Sequence, residues 1–578
     1  MKKATTIIIV IIGVLCVSAY IFLRQKLRTP GFQPPLAPTA AAATAAPKSA
    51  LDLRPRLVTK LQELVSKGSE GLYRLSIREV EPDILASTIA LKNISLTPDT
   101  AVLHRLQAAH RQPADVFSFT LDSLRIEGLG ISDLLEKDVI DLKSILLLAP
   151  TIEIFHQRPE QGGHPEELTL YQRLRQQLRH LGIGQLTVRR GTVIVHQYAK
   201  KKAARFEDVE ASLADILMDS TTQNDRERFL FAKTAEISTK NINWRTADGL
   251  YDTRIAKATL VATSNRLSLS GMELRPLYGK QEFQDHIKVM TERFALKVPA
   301  LELHGVDWWS LLNEDRLEAA SADLNNAWFS VYLDHRKPSS GVHGPSFPHQ
   351  LLMDLAFKLH IATLNINHLD IESEEFSAVS GQPGTLYVSS LQGKVTNLTN
   401  MPEHIRKQSH MRIEASALFM HTIKARLGLD FDLAHYKNGN FGATLSAADF
   451  DPAVINPLAE PMGLFRVERG TVQQISSRIK GNNAGASGDV EFRYSKLRVS
   501  ALEKDKRNPG ELNKKHITSV LANVLVVKDG NPSGNNPPRT AKAQFKYNGR
   551  TSFFNLIWKT TFVGILDIIG APRRLAEQ

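Results

Sequence analysis

Residues 117–138 read FSFTLDSLRIEGLGISDLLEKD, and residues 294–315 read FALKVPALELHGVDWWSLLNED. The two align without a gap at a spacing of 177 residues: Phe117, Leu124, Gly128, Leu134, Leu135 and Asp138 recur as Phe294, Leu301, Gly305, Leu311, Leu312 and Asp315. Five more positions exchange one apolar residue for another: Phe119/Leu296, Leu121/Val298, Ile126/Leu303, Leu129/Val306 and Ile131/Trp308. A match that keeps the glycine and the apolar spacing together reads as an internal duplication, and repeats fix architecture before other signals do. In each copy the alternation slips at one place. Phe117, Phe119 and Leu121 keep step, then Leu124 and Ile126 fall one residue out; the second copy slips where Pro299 stands. Proline lacks the ladder N–H, so a bulge or bend on an accessible edge is expected there. Each unit reads as strand, bend, strand, glycine, short helix, strand.

Outward from the repeat, alternation of apolar and polar residues dominates from about residue 72, as in Leu72-Tyr73-Arg74-Leu75-Ser76-Ile77. Such a pattern puts one face of each strand on apolar material and the other in water. RHLGIGQLTV (179–188) corresponds loosely to LHIATLNINH (359–368), residues 198–205 form a charged loop, and residues 335–350 interrupt the repeats. Amphipathic helical periodicity is credible at 51–67 and 169–181. Near the carboxyl end, GNNAGASG (481–488) separates two alternating runs. No Walker-type lysine follows it, so it reads as a hairpin connection and not as a phosphate loop.

The chain has 578 residues, 42% apolar and 23% charged, an ordinary balance for a folded body. Its net charge of +12 suits an anionic lipid surface. No dense Lys/Arg stripe with interleaved aromatics occurs, so nucleic acid is not expected as a partner. The single cysteine, Cys16, lies in an apolar run, and the body needs no disulfide.

That run, TTIIIVIIGVLCVSAYIFL (5–23), is uncharged and has the length of a membrane span. It continues past the cleavage-like Val17/Ala19 pair to Arg24, Lys26 and Arg28, which favours an uncleaved signal-anchor over a removed signal peptide. Residues 29–50 are rich in proline and alanine and read as a stiff spacer of ~50–60 Å.

Taken together, a signal-anchor, strand pairs ending in glycine and a short Leu-Leu helix, and a strand after Ala149-Pro150 resemble the AsmA-like proteins of Gram-negative envelopes. The carboxyl part, NPLAEPMGLFRVERGTVQQISSRIKGNNAGASGDVEFRYSKLRV, then SVLANVLVVKDGNPSG and PPRTAKAQFKYNGRTSFFNLIWKTTFVGILDIIG, resembles a branch of that group with a domain of unknown function. The resemblance implies a mainly β fold: an elongated, repetitive, twisted β-sheet groove with a few short helices and an N-terminal transmembrane helix. It implies an inner-membrane anchor, a body in the periplasm, and a groove that carries acyl chains. About 22 strands at ~4.8 Å spacing would make a groove of ~105 Å, short for bridging two membranes unaided. The chain then divides into an anchor (1–28), a spacer (29–50), two β repeats (51–290 and 291–450), a carboxyl-terminal β segment (451–550) and an amphipathic helix with tail (551–578).

No H-E-x-x-H, G-x-S-x-G or CxxC pattern occurs, and no enzyme, metal or cofactor is expected. His360 and His368 lack carboxylates at ligand spacing; Glu374-Glu375 and Asp449/Asp451 read as solvated acids. Trp308-Trp309 either plug the core or cap the end of a groove, and the core reading is favoured because the first copy has Ile131 and Ser132 there. Candidate lipid contacts are Phe117, Phe119, Leu121, Phe294, Leu296 and Val298. The run 552–570, SFFNLIWKTTFVGILDIIG, carries Lys559 and Asp567 and is followed by Arg573-Arg574. It reads either as an interfacial helix whose Phe553, Phe554, Trp558 and Phe562 meet a membrane or partner, or as a helix capping the last strands. The expected partners are a phospholipid or other envelope lipid, the inner membrane through the N-terminal helix, and an envelope protein. The rival expectation is a scaffold with a filled core that aids outer-membrane protein assembly.

Overall fold

The computed structural model describes the chain from residue 58 to residue 573, apart from several stretches, the longest being 129–138, 157–179, 339–346 and 515–526. The expected span at 5–23, the spacer at 29–50, most of the helices expected at 51–67 and 169–181, and the short helix of the first repeat lie outside the described residues. Among the described residues no helix is long and apolar enough to cross a membrane. The protein is mainly β: among the described residues 22 strands join as a mixed sheet, with a few short helices. The chain forms two compact units. One holds residues up to Arg245 with Thr253–Ser270 and Gly305–Arg316; the other holds Thr246–Asp252, Gly271–His304 and Leu317 onwards.

The duplication extends further upstream than the opening match. The first copy begins with β1 (Tyr73–Asp83), β2 (Thr88–Pro98), helix α1 (Thr100–Ala108) and β3 (Asp115–Glu127). It continues with β4 (Val139–Leu148), β5 (Thr151–His156), β6 (His180–His196) and β7 (Ala203–Met218). After β8 (Thr234–Arg245) the second copy runs through β9 (Tyr251–Val261), β10 (Arg266–Pro276), α2 (Lys280–Asp285) and β11 (Arg293–His304). Then follow α3 (Trp308–Asn313), β12 (Arg316–Asp334), α4 (Pro348–Met353), β13 (Lys358–Phe376) and β14 (Pro383–Thr399). Gly71-Leu72-Tyr73 returns as Gly249-Leu250-Tyr251, with both glycines in the left-handed region (φ +82° and +76°). Each tyrosine hydroxyl accepts the backbone N–H of the repeat phenylalanine: Phe117 to Tyr73 at 3.2 Å, Phe294 to Tyr251 at 3.3 Å. A structural role, repeated residue for residue, marks the two copies as one design.

The phase slip has a defined cause. In the first copy Leu91 and Ile94 of β2 are both buried, as are their partners Leu124 and Leu121 of β3. Between them Asn93 adopts φ +49°, and on the other side of β3 Ala149 adopts φ +50°. A left-handed residue turns the chain by one side-chain step, so residues on both sides of it face the same core. The second copy repeats this with Gly271 (φ +59°) and Asn326 (φ +53°) around Pro299. No residue is inserted, since Lys297↔Trp328 and Ala300↔Asn325 keep one register. The feature is thus a bend and not a bulge. It is not an edge feature either, because β3 pairs with β2 on one side and with β4 and β5 on the other.

In both copies the next strand lies parallel: β6 to β4 and β5, and, through Asn365–Asp323 (2.8 Å) and Asn367–Asn325 (3.0 Å) at one constant offset, β13 to β12. Beyond β14 the second unit continues as an antiparallel series. It comprises β15 (His410–Phe419), β16 (Ile423–Asp432), β17 (Phe441–Phe450), β18 (Phe465–Asn482) and β19 (Gly485–Lys504). Helix α5 (Pro402–Lys407) precedes β15 and α6 (Asn456–Gly463) precedes β18. The expected hairpin turns at Asn483-Ala484, between the paired Asn482 and Gly485. Short β20 (Leu512–Lys514) and β21 (Gly530–Asn531) and then β22 (Thr540–Lys546) pair with β19, and α7 (Phe553–Ile569) follows.

Candidate functional site

Helix α7 is apolar almost all round, which a helix of a folded body tolerates only when buried. It lies on β19 and β22, with Leu556, Ile557, Val563, Leu566 and Ile568 buried. Gly564 allows the close approach: a Cβ there would meet Val490 of β19 at 2.5 Å. The buried hydroxyls are satisfied, Thr560 and Thr561 bonding back to the carbonyls of Leu556 and Ile557 at 2.8 and 3.0 Å. At the amino end Phe553 enters an aromatic knot with Phe347, Phe431 and Phe441, at centroid distances of 5.3, 5.4 and 4.9 Å. At the carboxyl end the Arg573 guanidinium forks onto Asp567 at 2.7 and 2.8 Å.

Beneath the second half of α7 lies a cavity of about 160 Å³. The helix contributes Trp558, Phe562, Ile565, Leu566 and Ile569; the strands contribute Phe419, Ala425, Ala447, Val467, Ile475, Phe492 and Val499 among others. Its lining is apolar without exception, so it offers water no partner and suits an aliphatic chain.

The same unit also holds several half-buried charged residues. Lys559 is half-buried, with its Nζ 5.5 Å from the centre of the Phe545 ring, and burial pulls its pKa down. Glu375 accepts a hydrogen bond from His335 Nε2 at 2.7 Å, and Glu374 pairs with Lys280 at 2.6 Å. These two acids are therefore partnered and half-buried, not solvated as their adjacency in sequence implied. Glu292 at the start of the second repeat has its carboxyl pushed up by burial and by the charge of Glu375.

The sequence-predicted residues divide by copy. Phe119 and Leu121 are 3% exposed and Phe117 is half-buried; they belong to a closed core in which the opposing Ile152 and Ile154 are buried as well. In the second copy Val298 is buried, while Phe294 and Leu296 are half-buried, and so are the opposing Val331 and Phe329. Of the helix candidates, Phe553 is buried in the knot, Phe554 is 60% exposed, and Trp558 and Phe562 line the cavity. Trp308 packs edge-on against Phe229 at 5.8 Å, in the core, while Trp309 stays half-buried.

The remaining candidates have local roles. His360 stacks on His404 at 3.5 Å, and His404 bonds Glu318 at 3.1 Å, a carboxylate that spacing could not reveal. His368 lies 3.3 Å from Asp370, and Asp451 caps the turn at Ala453. Among the described residues no group of three or more His, Cys, Asp or Glu is arranged to hold a metal. Sequence reasoning missed the strand half of the cavity and the half-buried charges. The signal for the first was a row of small residues, Ala417, Ala425 and Ala447, that pair in register across β15, β16 and β17. No protein-family model matches the chain, and no curated protein is similar to it.

Proposed function

We propose that the protein binds the acyl chain of an envelope lipid beneath α7 and along the half-open apolar face of the second repeat. In this reading it is an AsmA-like, membrane-anchored periplasmic protein whose twisted sheet serves as a groove, and it acts in lipid transfer or outer-membrane homeostasis without catalysis. The observation that carries the reading is the cavity under α7, lined throughout by apolar side chains. Burying a chain there gains roughly 0.8 kcal/mol per methylene, so a short stretch of chain suffices for retention. The rival scaffold reading draws on the closed core of the first copy, where Phe119 and Leu121 leave no room.

One substitution separates the two. Ala447→Trp fills the cavity from β17. The protein is expected to fold, keep its melting temperature within a few degrees, and lose most of the lipid that extraction recovers from the wild type. A wild-type protein that carries no lipid, or a folded variant that carries as much, would favour the scaffold.

A further inference from the structure

From β13 to β19, and on to β22, neighbouring strands run antiparallel, so every second connection falls at the same end of the second unit. Direct contacts join the pieces of that end. The turn at Tyr436–Asn438 links β16 to β17, and Asn483 at the tip of the β18–β19 hairpin donates to the Lys437 carbonyl at 2.7 Å. Gln350 of α4 donates to the Tyr436 carbonyl and to the Asn483 side chain, each at 3.1 Å. The Leu433 N–H donates to Ser409, just past α5, at 2.8 Å, and the Tyr547 N–H donates to Ala484 at 3.0 Å. Phe553 at the start of α7 packs on Phe347, the residue before α4, at 5.3 Å.

Two kinds of side chain collect on this surface. Among the described residues six large apolar side chains are exposed, and three of them stand here: Leu351 (53%), Leu355 (40%) and Phe554 (60%). Single exposed apolar residues are ordinary, but a group at one end marks a contact surface. On the same segments Lys358, Arg406, Lys407, Lys437, Lys480 and Lys546 are exposed, and among the described residues none of them pairs with an acid. Of the acids there, only Asp354 is exposed; Glu403 is half-buried, and Asp432 is held by His435 at 2.9 Å. The end is therefore both apolar at its tips and strongly basic.

We infer that this end of the second unit docks on an anionic phospholipid bilayer, with Leu351, Leu355 and Phe554 entering the headgroup layer and the cations lying over the phosphates. A second copy of the chain fits worse. A self-matched face would set like charges against each other, and three apolar side chains bury too little for a stable dimer. A bilayer demands no matching shape: each Lys or Arg near an anionic surface adds its own attraction, and aromatic side chains settle at headgroup level. The surface is separate from the acyl-chain cavity, which lies under the second half of α7.

The test uses the full chain with Cys16→Ser and one new cysteine, Leu351→Cys, carrying an environment-sensitive dye. The protein is reconstituted in phosphatidylcholine vesicles, and further vesicles are titrated in, either of phosphatidylcholine alone or with about one-third phosphatidylglycerol. A blue shift is expected with the anionic vesicles only, and high salt should reverse it. The same dye at Thr422→Cys, in an exposed turn at the opposite end of β15 and β16, is expected to stay unshifted. Lys437→Gln combined with Lys546→Gln is expected to keep the melting temperature and raise the half-saturating lipid concentration roughly thirtyfold, the scale of two lysines at an anionic surface. Phe554→Cys repeats the measurement should Leu351→Cys not fold, and the same shift is expected from it. No shift in folded protein, an equal shift at Thr422→Cys, or a titration unmoved by the two glutamines would overturn the docking surface. So would a shift that appears in neutral vesicles and grows with protein density, since a second copy would then occupy the face. Lipid recovered by extraction is expected to be equal in the double variant and the wild type; its absence from both would sink the proposed function and leave the docking result standing.

Discussion

His349 carries a feature of the second unit that a residue-level argument can test. It is fully buried between Phe347 and Phe431, and among the described residues neither ring nitrogen has a hydrogen-bond partner. Burial drives its pKa down from 6.5 to about 4, opposed only by the charge of Asp432. The native state therefore resists protonation, whereas the unfolded chain takes up the proton near pH 6.5. Above that pH both states are neutral and the histidine contributes no pH dependence. As the pH falls from 6.5 toward 4, stability drops, by up to roughly 3 kcal/mol for this one group. His360, with burial and the neighbouring His404 pulling it to about 4, adds to the loss with the same sign. Urea denaturation of wild type and His349→Phe at pH 7 and pH 4.5 measures the effect. The variant is expected to match or exceed the wild type at pH 7 and to lose visibly less on acidification; parallel losses would refute the assignment. Nothing in the sequence around His349 announced its burial, because Phe431, which packs against it, lies 82 residues downstream.

At the scale of one element, α7 shows what composition can and cannot decide. The run of apolar residues with Lys559 and Asp567 was legible as a helix, yet an interfacial helix and a capping helix share that composition. The discriminating fact is the glycine. Gly564 sits where α7 meets Val490, and an interfacial helix has no need of a glycine at that face. Gly564→Ala gains about 1 kcal/mol of helix propensity. It also forces a methyl group to 2.5 Å from a buried valine, an overpacking worth about 1–3 kcal/mol. The clash is expected to win, lowering stability by a net 1 kcal/mol or so in chemical denaturation. Val490→Ala in the same chain should return part of that loss, a coupling that a double-mutant cycle reads directly. Additive losses would mean that the contact does not hold the helix. A helix so seated closes the cavity only while the strand contact persists, so the same variant should release bound lipid faster.

Across the whole chain, the duplication was legible in 22 columns but its true reach was not. The identical Gly-Leu-Tyr triplets at 71–73 and 249–251 stand 178 apart, one residue off the spacing of the main match, because one residue is lost between the second and third strands of the copy. A gapless alignment passes over them. The apolar face was legible in both copies, since alternation reports which side is apolar; whether that side is covered depends on strands and helices distant in sequence. That difference generates the last prediction. Phe119 and Leu296 are the same position of the repeat, opposed by Ile152 and Phe329 respectively. Phe119 is 3% exposed and Ile152 is buried, so Phe119→Asp strands a charge in a closed core and is expected to cost about 4 kcal/mol or more, enough to unfold or misfold the first unit. Leu296 is only half-buried, so the carboxylate of Leu296→Asp retains some access to water, and the substitution is expected to cost about 1–2 kcal/mol in a protein that still folds. The second variant should then carry less lipid, because a charge now lines the open face. The paired measurement is the yield of folded protein for each variant, with lipid extraction from whatever folds. If both variants fold equally well, the first copy is as open as the second and its core is also a lipid path; if both collapse, the second copy is as closed as the first and the face supports no ligand.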